Sequence, residues 1–280
     1  MNNTASPERR RSRTIRPVLL VMPALVVVVA TSALVWLRHG EVSPTPVSVS
    51  SPSSSAPTAS ASPAYRVPCL GALAERVAGG TDSPSQGRYL YLRMRHLADQ
   101  DGGRLMASDE EQWRADDRSG RLVRKPVPGN PSLPAARVDY GPGGMHGGLA
   151  DPTVTDLPAL AAQLSRSRPP VHRPEWLLRA VVDVYQAQWP QRPTRVAMLR
   201  LLAQTHGLRC ERSSNVGVPT VVVSMRSEDG RTQDRLVIDA SNAGPVAYRV
   251  TWVRTPPGAV RQEVTWLAHG RVDEIGAVPS

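Results

Sequence analysis

The sequence lacks most of the motifs that mark a catalytic or metal site. It contains two cysteines and six histidines, and no two histidines stand at the spacing of helical metal ligands. There is no His-Glu-x-x-His, no Gly-x-Ser-x-Gly, no Ser-x-x-Lys and no Gly-Lys-Ser/Thr. These absences exclude the common zinc sites, nucleophile elbows and phosphate loops. We therefore predict no catalytic residue, no bound metal and no cofactor, and we expect a protein that is not an enzyme.

Lysine and phenylalanine are also scarce, since Lys125 is the only lysine and phenylalanine is absent. Arginine therefore supplies nearly all of the positive charge behind the net charge of +10. Five arginines lie within residues 1–16 against a single acidic residue, Glu8. The remaining arginines are spread among acidic neighbours, whereas a nucleic-acid-binding surface would cluster them. We predict that nucleic acid is not a partner.

One apolar segment, residues 17–37, predicts a transmembrane helix. It carries no charge, and at about 1.5 Å per residue it reaches about 30 Å, the thickness of a bilayer core. The arginines before it predict a cytoplasmic N-terminus by the positive-inside rule. A cleaved signal peptide is the alternative, because Ala30-Thr31-Ser32 resembles a weak cleavage site. Both interpretations place the rest of the chain outside the cytoplasm.

The predicted organisation is that of a single-pass protein of the cell membrane with an extracytoplasmic C-terminal domain. Residues 38–63 are dominated by Ser, Pro, Ala, Thr and Val, a composition that is typical of a disordered stalk. The remaining residues are enough for one sizeable domain. The predicted parts are a basic tail at 1–16, the membrane helix at 17–37, the stalk at 38–63 and the globular domain at 64–280.

The two cysteines, Cys69 and Cys210, both lie on the predicted exported side. In an oxidising compartment an isolated pair most simply forms a disulfide. The alternative is two unpaired buried cysteines. We predict the disulfide.

Hydrophobic periodicity predicts an α+β fold in the outer domain. Helical spacing of apolar residues occurs at 70–77, 157–164, 177–184 and 198–205. Strand patterns occur at 89–95, 104–107, 121–124, 220–225, 235–240, 246–254 and 260–268. Short turns join the last four of these strands, as in antiparallel hairpins. The order of strands, then helices, then a four-stranded meander predicts an antiparallel sheet with about four helices packed on one face.

The stretch 126–151 is rich in glycine and proline, and we interpret it as a long surface loop that is mobile or functional. Nothing in it resembles a phosphate cradle.

Four carboxylates beside Trp113 are the only candidates for glycoside cleavage. They are Glu110, Glu111, Asp116 and Asp117. Paired carboxylates cleave glycosidic bonds, and aromatic side chains often line sugar sites. We interpret the segment instead as a solvated turn anchored by Trp113, and we keep a cell-wall hydrolase as the alternative function.

Four segments stand out together: Gly87–Arg93, Glu111–Trp113, Pro193–Arg200 and Arg235–Ala240 with Gly244 behind it. In this order, over about residues 70–253, they resemble a family of uncharacterised actinobacterial single-pass membrane proteins linked to extracytoplasmic-function sigma factors. The resemblance implies an envelope sensor or partner-binding role and supplies no catalytic motif. This sequence differs from the family in having only 16 residues before the apolar segment, which argues against a cytoplasmic domain that grips a sigma factor.

The sequence therefore predicts a membrane-anchored extracytoplasmic binding or regulatory domain. Its expected partners are the membrane and an envelope protein, a lipid or a cell-wall ligand. A structural envelope protein is the remaining alternative.

Overall fold

The computed structural model describes residues 66–82, 86–99, 104–167, 174–215, 217–254 and 257–279, all of which belong to one compact unit, Ala59–Ser280. The predicted tail, membrane helix and stalk (1–16, 17–37 and 38–63) lie outside the described residues. None of the helices that the structure describes is long and apolar enough to cross a membrane.

The domain is built from four helices and nine strands within the described residues. The helices are α1 (Pro68–Ala78), α2 (Leu157–Ser167), α3 (Pro174–Ala187) and α4 (Arg192–Ala203). The strands are β1 (Tyr89–Asp99), β2 (Leu105–Ala115), β3 (Gly120–Pro126), β4 (Ala136–Tyr140), β5 (Arg209–Asn215), β6 (Val218–Arg226), β7 (Thr232–Asp239), β8 (Pro245–Trp252) and β9 (Val260–Val272).

All nine strands form one antiparallel sheet in the order β4-β3-β2-β1-β9-β8-β7-β6-β5. The first four strands and the last five are consecutive meanders. Strand β1 joins the two meanders by pairing with β2 on one side and with β9 on the other. The first and the last strand of the domain are therefore neighbours in the middle of the sheet.

The helices bury one face of this sheet. Helices α1 and α4 pack against each other, and α3 lies over β6 and β8. The core between them contains Leu92, Met94, Leu178, Leu202 and Leu236, all nearly inaccessible to solvent. Each helix supplies apolar residues at i, i+3 and i+4, so one stripe of each is buried. Burial of this stripe positions the helices.

The structure confirms the predicted antiparallel sheet, the four helices and the disulfide. Cys69 at the start of α1 is bonded to Cys210 on the edge strand β5, with Cα atoms 6.2 Å apart. The bond ties the N-terminal helix of the described domain to one edge of the sheet.

Two predictions about the strands are wrong. Residues 108–115 continue β2 and are not a solvated turn, since Glu110, Glu111 and Trp113 are strand residues. The closing meander has five strands, because the polar stretch Arg209–Asn215 forms β5. Strand β2 lacks the apolar alternation that predicts a strand, because its charged residues are buried against oppositely charged neighbours. Strand β5 lacks it because it is a polar edge strand.

The stretch 126–151 is not a single loop. It contains β4, and the segment after it folds back on the sheet, where Met145 and Leu149 are buried. The backbone N–H of Met145 donates to the carbonyl of Arg118 at 2.9 Å. Gly120 permits this packing, because a Cβ on it would lie 3.0 Å from Met145 Sδ and would also collide with the Trp113 carbonyl. Most of this glycine-rich stretch is therefore part of the fold.

Candidate functional site

The face of the sheet opposite the helices, here called the open face, carries charged and hydroxyl side chains. Alternate residues of a strand point to opposite faces, so the pairing register assigns each residue to one face. On β1, Leu92 and Met94 point to the helices, and Arg93 and Arg95 point to the open face. The C-terminal segment covers one corner of the open face around Tyr91 and Trp113. Two features occupy the rest.

The first feature is a ladder of charges across β1, β2 and β3, which we call the charge ladder. Arg95 donates two hydrogen bonds to Asp109, from Nε at 2.7 Å and from Nη2 at 3.0 Å. Arg93 adds a single longer bond to the same carboxylate at 3.3 Å. On the next strand, Lys125 Nζ donates to Glu111 Oε2 at 2.7 Å. Arginine and lysine from the outer strands thus enclose two carboxylates on the middle one.

The cations of the charge ladder face solvent, whereas the carboxylates lie beneath them. The side chains of Arg93, Arg95 and Lys125 are 43%, 46% and 55% exposed, against 11% for Asp109 and 10% for Glu111. Hydrogen bonds from Arg95 hold the pKa of Asp109 below its usual value, although burial opposes this shift. A partner that approaches the ladder meets guanidinium and ammonium groups first.

The second feature, here called the open-face groove, is a shallow cavity of about 500 Å³ across β5 to β9. Its base is aliphatic, formed by Val222, Val237 and Ala247. Arg235 and Arg249 stand on β7 and β8, directly opposite each other in the register. Arg249 is paired with Glu263 at 2.8 Å and repeats the ladder arrangement, with exposures of 51% for the arginine and 20% for the glutamate.

A buried hydroxyl lines the same groove. Thr220 on β6 is 2% exposed, and its Oγ1 has no hydrogen-bond partner among the described residues. A buried polar atom without a partner loses its hydration without compensation, and such atoms are rare in folded proteins. The groove therefore contains a hydrogen-bonding group that the fold does not use.

The four candidate carboxylates of the sequence are not brought together as a catalytic pair. Glu110 points to the helix side, where Gln112 Nε2 donates to it at 2.8 Å, while Glu111 points to the open face. Asp116 and Asp117 lie in the following turn. Asp116 accepts from Arg271 at 2.8 Å, and Asp117 accepts from the Ser119 hydroxyl at 2.6 Å.

The side chain of Trp113 also makes its contacts within the fold. It is 3% exposed, packs against Tyr91 with ring centroids 5.3 Å apart, and donates from Nε1 to the Ala277 carbonyl at 2.7 Å. A ring buried in this way offers no face on which a sugar could stack. Across the described ranges, no group of three or more His, Cys, Asp or Glu side chains is arranged to hold a metal ion.

The residues that form the open-face groove were not singled out by the sequence. Arg235 and Arg249 lie on two different strands and become neighbours only through the pairing register, and Thr220 lines the same groove from a third strand. A usable signal was present, because a basic residue alternates with apolar ones in Arg235-Leu236-Val237-Ile238 and in Tyr248-Arg249-Val250. Such alternation predicts that both arginines lie on the face opposite the core.

No protein family matches the sequence, and no curated protein matches it. Among solved structures, the chain is similar to MucB in complex with MucA(peri), with a TM-score of 0.33, 16% identity and coverage of 75% of this chain and 57% of the matched one. A second MucA/MucB complex, from Pseudomonas aeruginosa, gives a TM-score of 0.32, 15% identity and coverage of 76% and 59%.

A LolA superfamily protein from Nitrosomonas europaea gives a TM-score of 0.21 and 7% identity, covering 75% of this chain and 96% of the other. The chain spans less than two thirds of the length of the two chains from the MucB complexes. At these scores and identities the similarities transfer neither a function nor a site to this chain.

Proposed function

We propose that the described domain is a non-catalytic binding domain of a membrane-anchored regulatory protein, and that it binds an anionic partner through the open face of its sheet. The domain is held outside the cytoplasm by the apolar segment 17–37 and acts as a sensor in the cell envelope. The resemblance to membrane proteins linked to sigma factors supports the regulatory part of this proposal.

One observation carries the binding part. In the ion pairs of Asp109, Glu111 and Glu263 with open-face cations, the cation is more than twice as exposed as the carboxylate. The buried carboxylates fix the positions of the cations and leave their outer N–H groups directed toward solvent. Arginine retains donors after it has paired once, because a guanidinium carries five N–H groups. A fixed array of partly used donors suits carboxylate or phosphate oxygens.

The only lysine of the chain provides a direct test, because Lys125 belongs to the charge ladder and its side chain is 55% exposed. An amine-reactive photocrosslinker coupled to the full-length chain attaches there and at the N-terminus. When the labelled chain is returned to membranes and illuminated, we expect reproducible capture of one envelope partner. Capture is expected to decline at high salt, since exposed charges are screened.

A swap of two residues supplies the matched control. Lys125→Arg combined with Arg200→Lys keeps the composition and the net charge but moves the lysine to α4, on the helix side of the domain. Arg200 is exposed and paired with Glu75 at 3.2 Å, so lysine is tolerated there. We expect the swapped chain to lose the partner. Equal capture by both chains, or capture of nothing above background by the native chain, would overturn the proposal.

A further inference from the structure

The open-face groove has the properties of a binding site for an extended peptide, and the row of residues across it shows why. The register aligns Glu263, Arg249, Arg235, Ser224 and Arg209 on β9, β8, β7, β6 and β5. Of these, the first three line the groove. The middle of this row is cationic. Carboxylates flank it at both ends, at Glu263 on β9 and at Glu211, two residues along β5 from Arg209.

Arg235 and Arg249 are an unfavourable pair within the sheet, because like charges directly opposite on neighbouring strands destabilise the pairing. Their existing partners lie on the outer sides. Arg249 is bonded to Glu263 at 2.8 Å, whereas Arg235 is only 3.8 Å from Glu211, which is beyond hydrogen-bonding distance. Within the described part of the chain, Arg209 has no ion pair. A carboxylate placed between Arg235 and Arg249 would relieve the repulsion and use the free donors.

The unpartnered hydroxyl of Thr220 lies in the same groove and is almost fully buried. It is four residues along β6 from Ser224, the register partner of Arg235, which is about 13 Å at roughly 3.3 Å per residue. It therefore lies outside the reach of a residue held between Arg235 and Arg249. Beside it, the small aliphatic base of Val222, Val237 and Ala247 has room for short side chains.

The dimensions of the groove suit a short peptide. Five strands spaced by about 4.8 Å span about 19 Å, and an extended chain covers this length with about six residues at roughly 3.3 Å each. The groove is too shallow to bury an acyl chain, so a lipid would present its headgroup alone.

We infer that the open-face groove binds an extended peptide segment of a partner protein with an acidic side chain near its centre, held between Arg235 and Arg249. This inference rests on the proposed function and specifies the partner. Because Glu211 and Glu263 flank the row, acidic residues at the ends of the segment are disfavoured. Specificity is therefore positional, with the central residues acidic and the terminal ones neutral or basic.

A positional hexapeptide library tests the inference with the full-length chain in detergent solution. Each pool fixes Glu at one position, and a matched pool fixes Gln at the same position. We expect the Glu pools at positions three and four to bind at least about tenfold more tightly than their Gln counterparts, as for a charge-assisted pair. We expect no such preference at positions one and six. Equal binding of Glu and Gln pools, or a preference at the ends, would refute the inference.

Two variants locate the contact. Arg235→Gln with Arg249→Gln should remove the preference for Glu, whereas Arg200→Gln with Arg231→Gln, two exposed arginines away from the groove, should retain it. Thr220→Val is nearly isosteric and removes a buried hydroxyl without a partner, so the thermal midpoint should stay equal or rise. Peptide affinity should be unchanged, because Thr220 lies outside the row that holds the acidic residue. A loss of affinity in this chain would contradict the assignment of the contact to Arg235 and Arg249.

A lipid surface and the proposed function are tested separately. Vesicles of phosphatidylglycerol and of phosphatidylcholine serve as probes, and binding of the former without any peptide binding would overturn the peptide assignment. If Lys125 captures a partner that the Arg235 and Arg249 variants also capture, the groove inference is wrong and the binding proposal stands. If Lys125 captures no partner, the proposed function itself fails.

Discussion

Trp189 and His269 stack ring on ring, with centroids 3.5 Å apart and planes inclined by 18°. Trp189 follows α3, and His269 lies on β9 beside Leu92 of β1. Tyr185 packs edge-on against Trp189 with a centroid distance of 5.6 Å, and its hydroxyl donates to the Ala243 carbonyl at 2.9 Å. The stack thus joins the end of α3 to the centre of the sheet and to the turn between β7 and β8.

The stack predicts an acid-sensitive fold. Burial, helped by the nearby Arg195 cation, lowers the pKa of His269 from 6.5 to about 4. The unfolded chain keeps the higher pKa and binds the proton more readily, so stability is fully present above pH 6.5 and declines as the pH falls toward 4. NMR titration of the His269 ring should give a midpoint near 4, and urea unfolding should show this slope. His269→Gln should flatten the slope. A midpoint at or above 6.5 would contradict the prediction.

Gly244 supports the stack by leaving room for the Trp189 ring. A Cβ at this position would overlap the ring carbons of Trp189, whereas a Cβ on Gly79 at the end of α1 would be 3.7 Å from its nearest neighbour. Gly244→Ala should therefore cost about 1–3 kcal/mol of unfolding free energy, the usual penalty for overpacking. It should also raise the pKa of His269 toward its usual value. Gly79→Ala is the matched control and should cost less than about 1 kcal/mol. Equal effects of the two substitutions would rule out the role assigned to Gly244.

The helices could be predicted from the sequence because each buries one regular apolar stripe. Leu70, Leu73, Ala74 and Val77 repeat at helical spacing, and all four are buried. The same rule fails on β2, where Asp109 and Glu111 are buried as charges. Their burial is possible only because Arg95 and Lys125 pair with them from neighbouring strands, and a pattern within one strand does not contain that information.

The candidate site is harder to predict than the fold for the same reason. Arg235 and Arg249 are adjacent only through the β7–β8 register, which shifts at a bulge between Val237 and Ile238. Glu110 and Glu111 are neighbours in sequence but lie on opposite faces of the sheet. Proximity along a strand therefore suggested a pair that does not exist, and the pairs that do exist depend on tertiary register.

The disulfide predicts a large dependence of stability on the redox state. Cys69 and Cys210 are 141 positions apart, so the bond restricts a long loop in the unfolded chain. The chain-entropy description gives about 5 kcal/mol for a loop of this size. Replacing both cysteines with serine should lower the unfolding free energy by this amount in a urea titration, and reduction of the native chain should reproduce the loss. Thiol labelling of both cysteines without prior reduction would show that the bond does not form.

The charge ladder predicts that lysine substitutions at its two arginines lower the stability of the domain by different amounts. Arg95 holds Asp109 through two hydrogen bonds, whereas Arg93 supplies one at 3.3 Å. Lysine keeps the charge but cannot reproduce a two-bond fork. Arg95→Lys should therefore destabilise the domain by about 1 kcal/mol, and Arg93→Lys by less than about 0.5 kcal/mol.

The two lysine variants can also be compared by measuring the pKa of Asp109. Because the bonds from Arg95 are the main cause of its low pKa, Arg95→Lys should raise the carboxyl titration midpoint toward 3.8, and Arg93→Lys should move it less. A group with a lowered pKa in the folded state stabilises the fold above its unfolded pKa, and this stabilisation is lost as the pH falls through the folded pKa. The Arg95→Lys chain should thus begin to unfold at a higher pH than the native chain. If both lysine variants titrate and unfold alike, Arg95 is not the residue that holds Asp109.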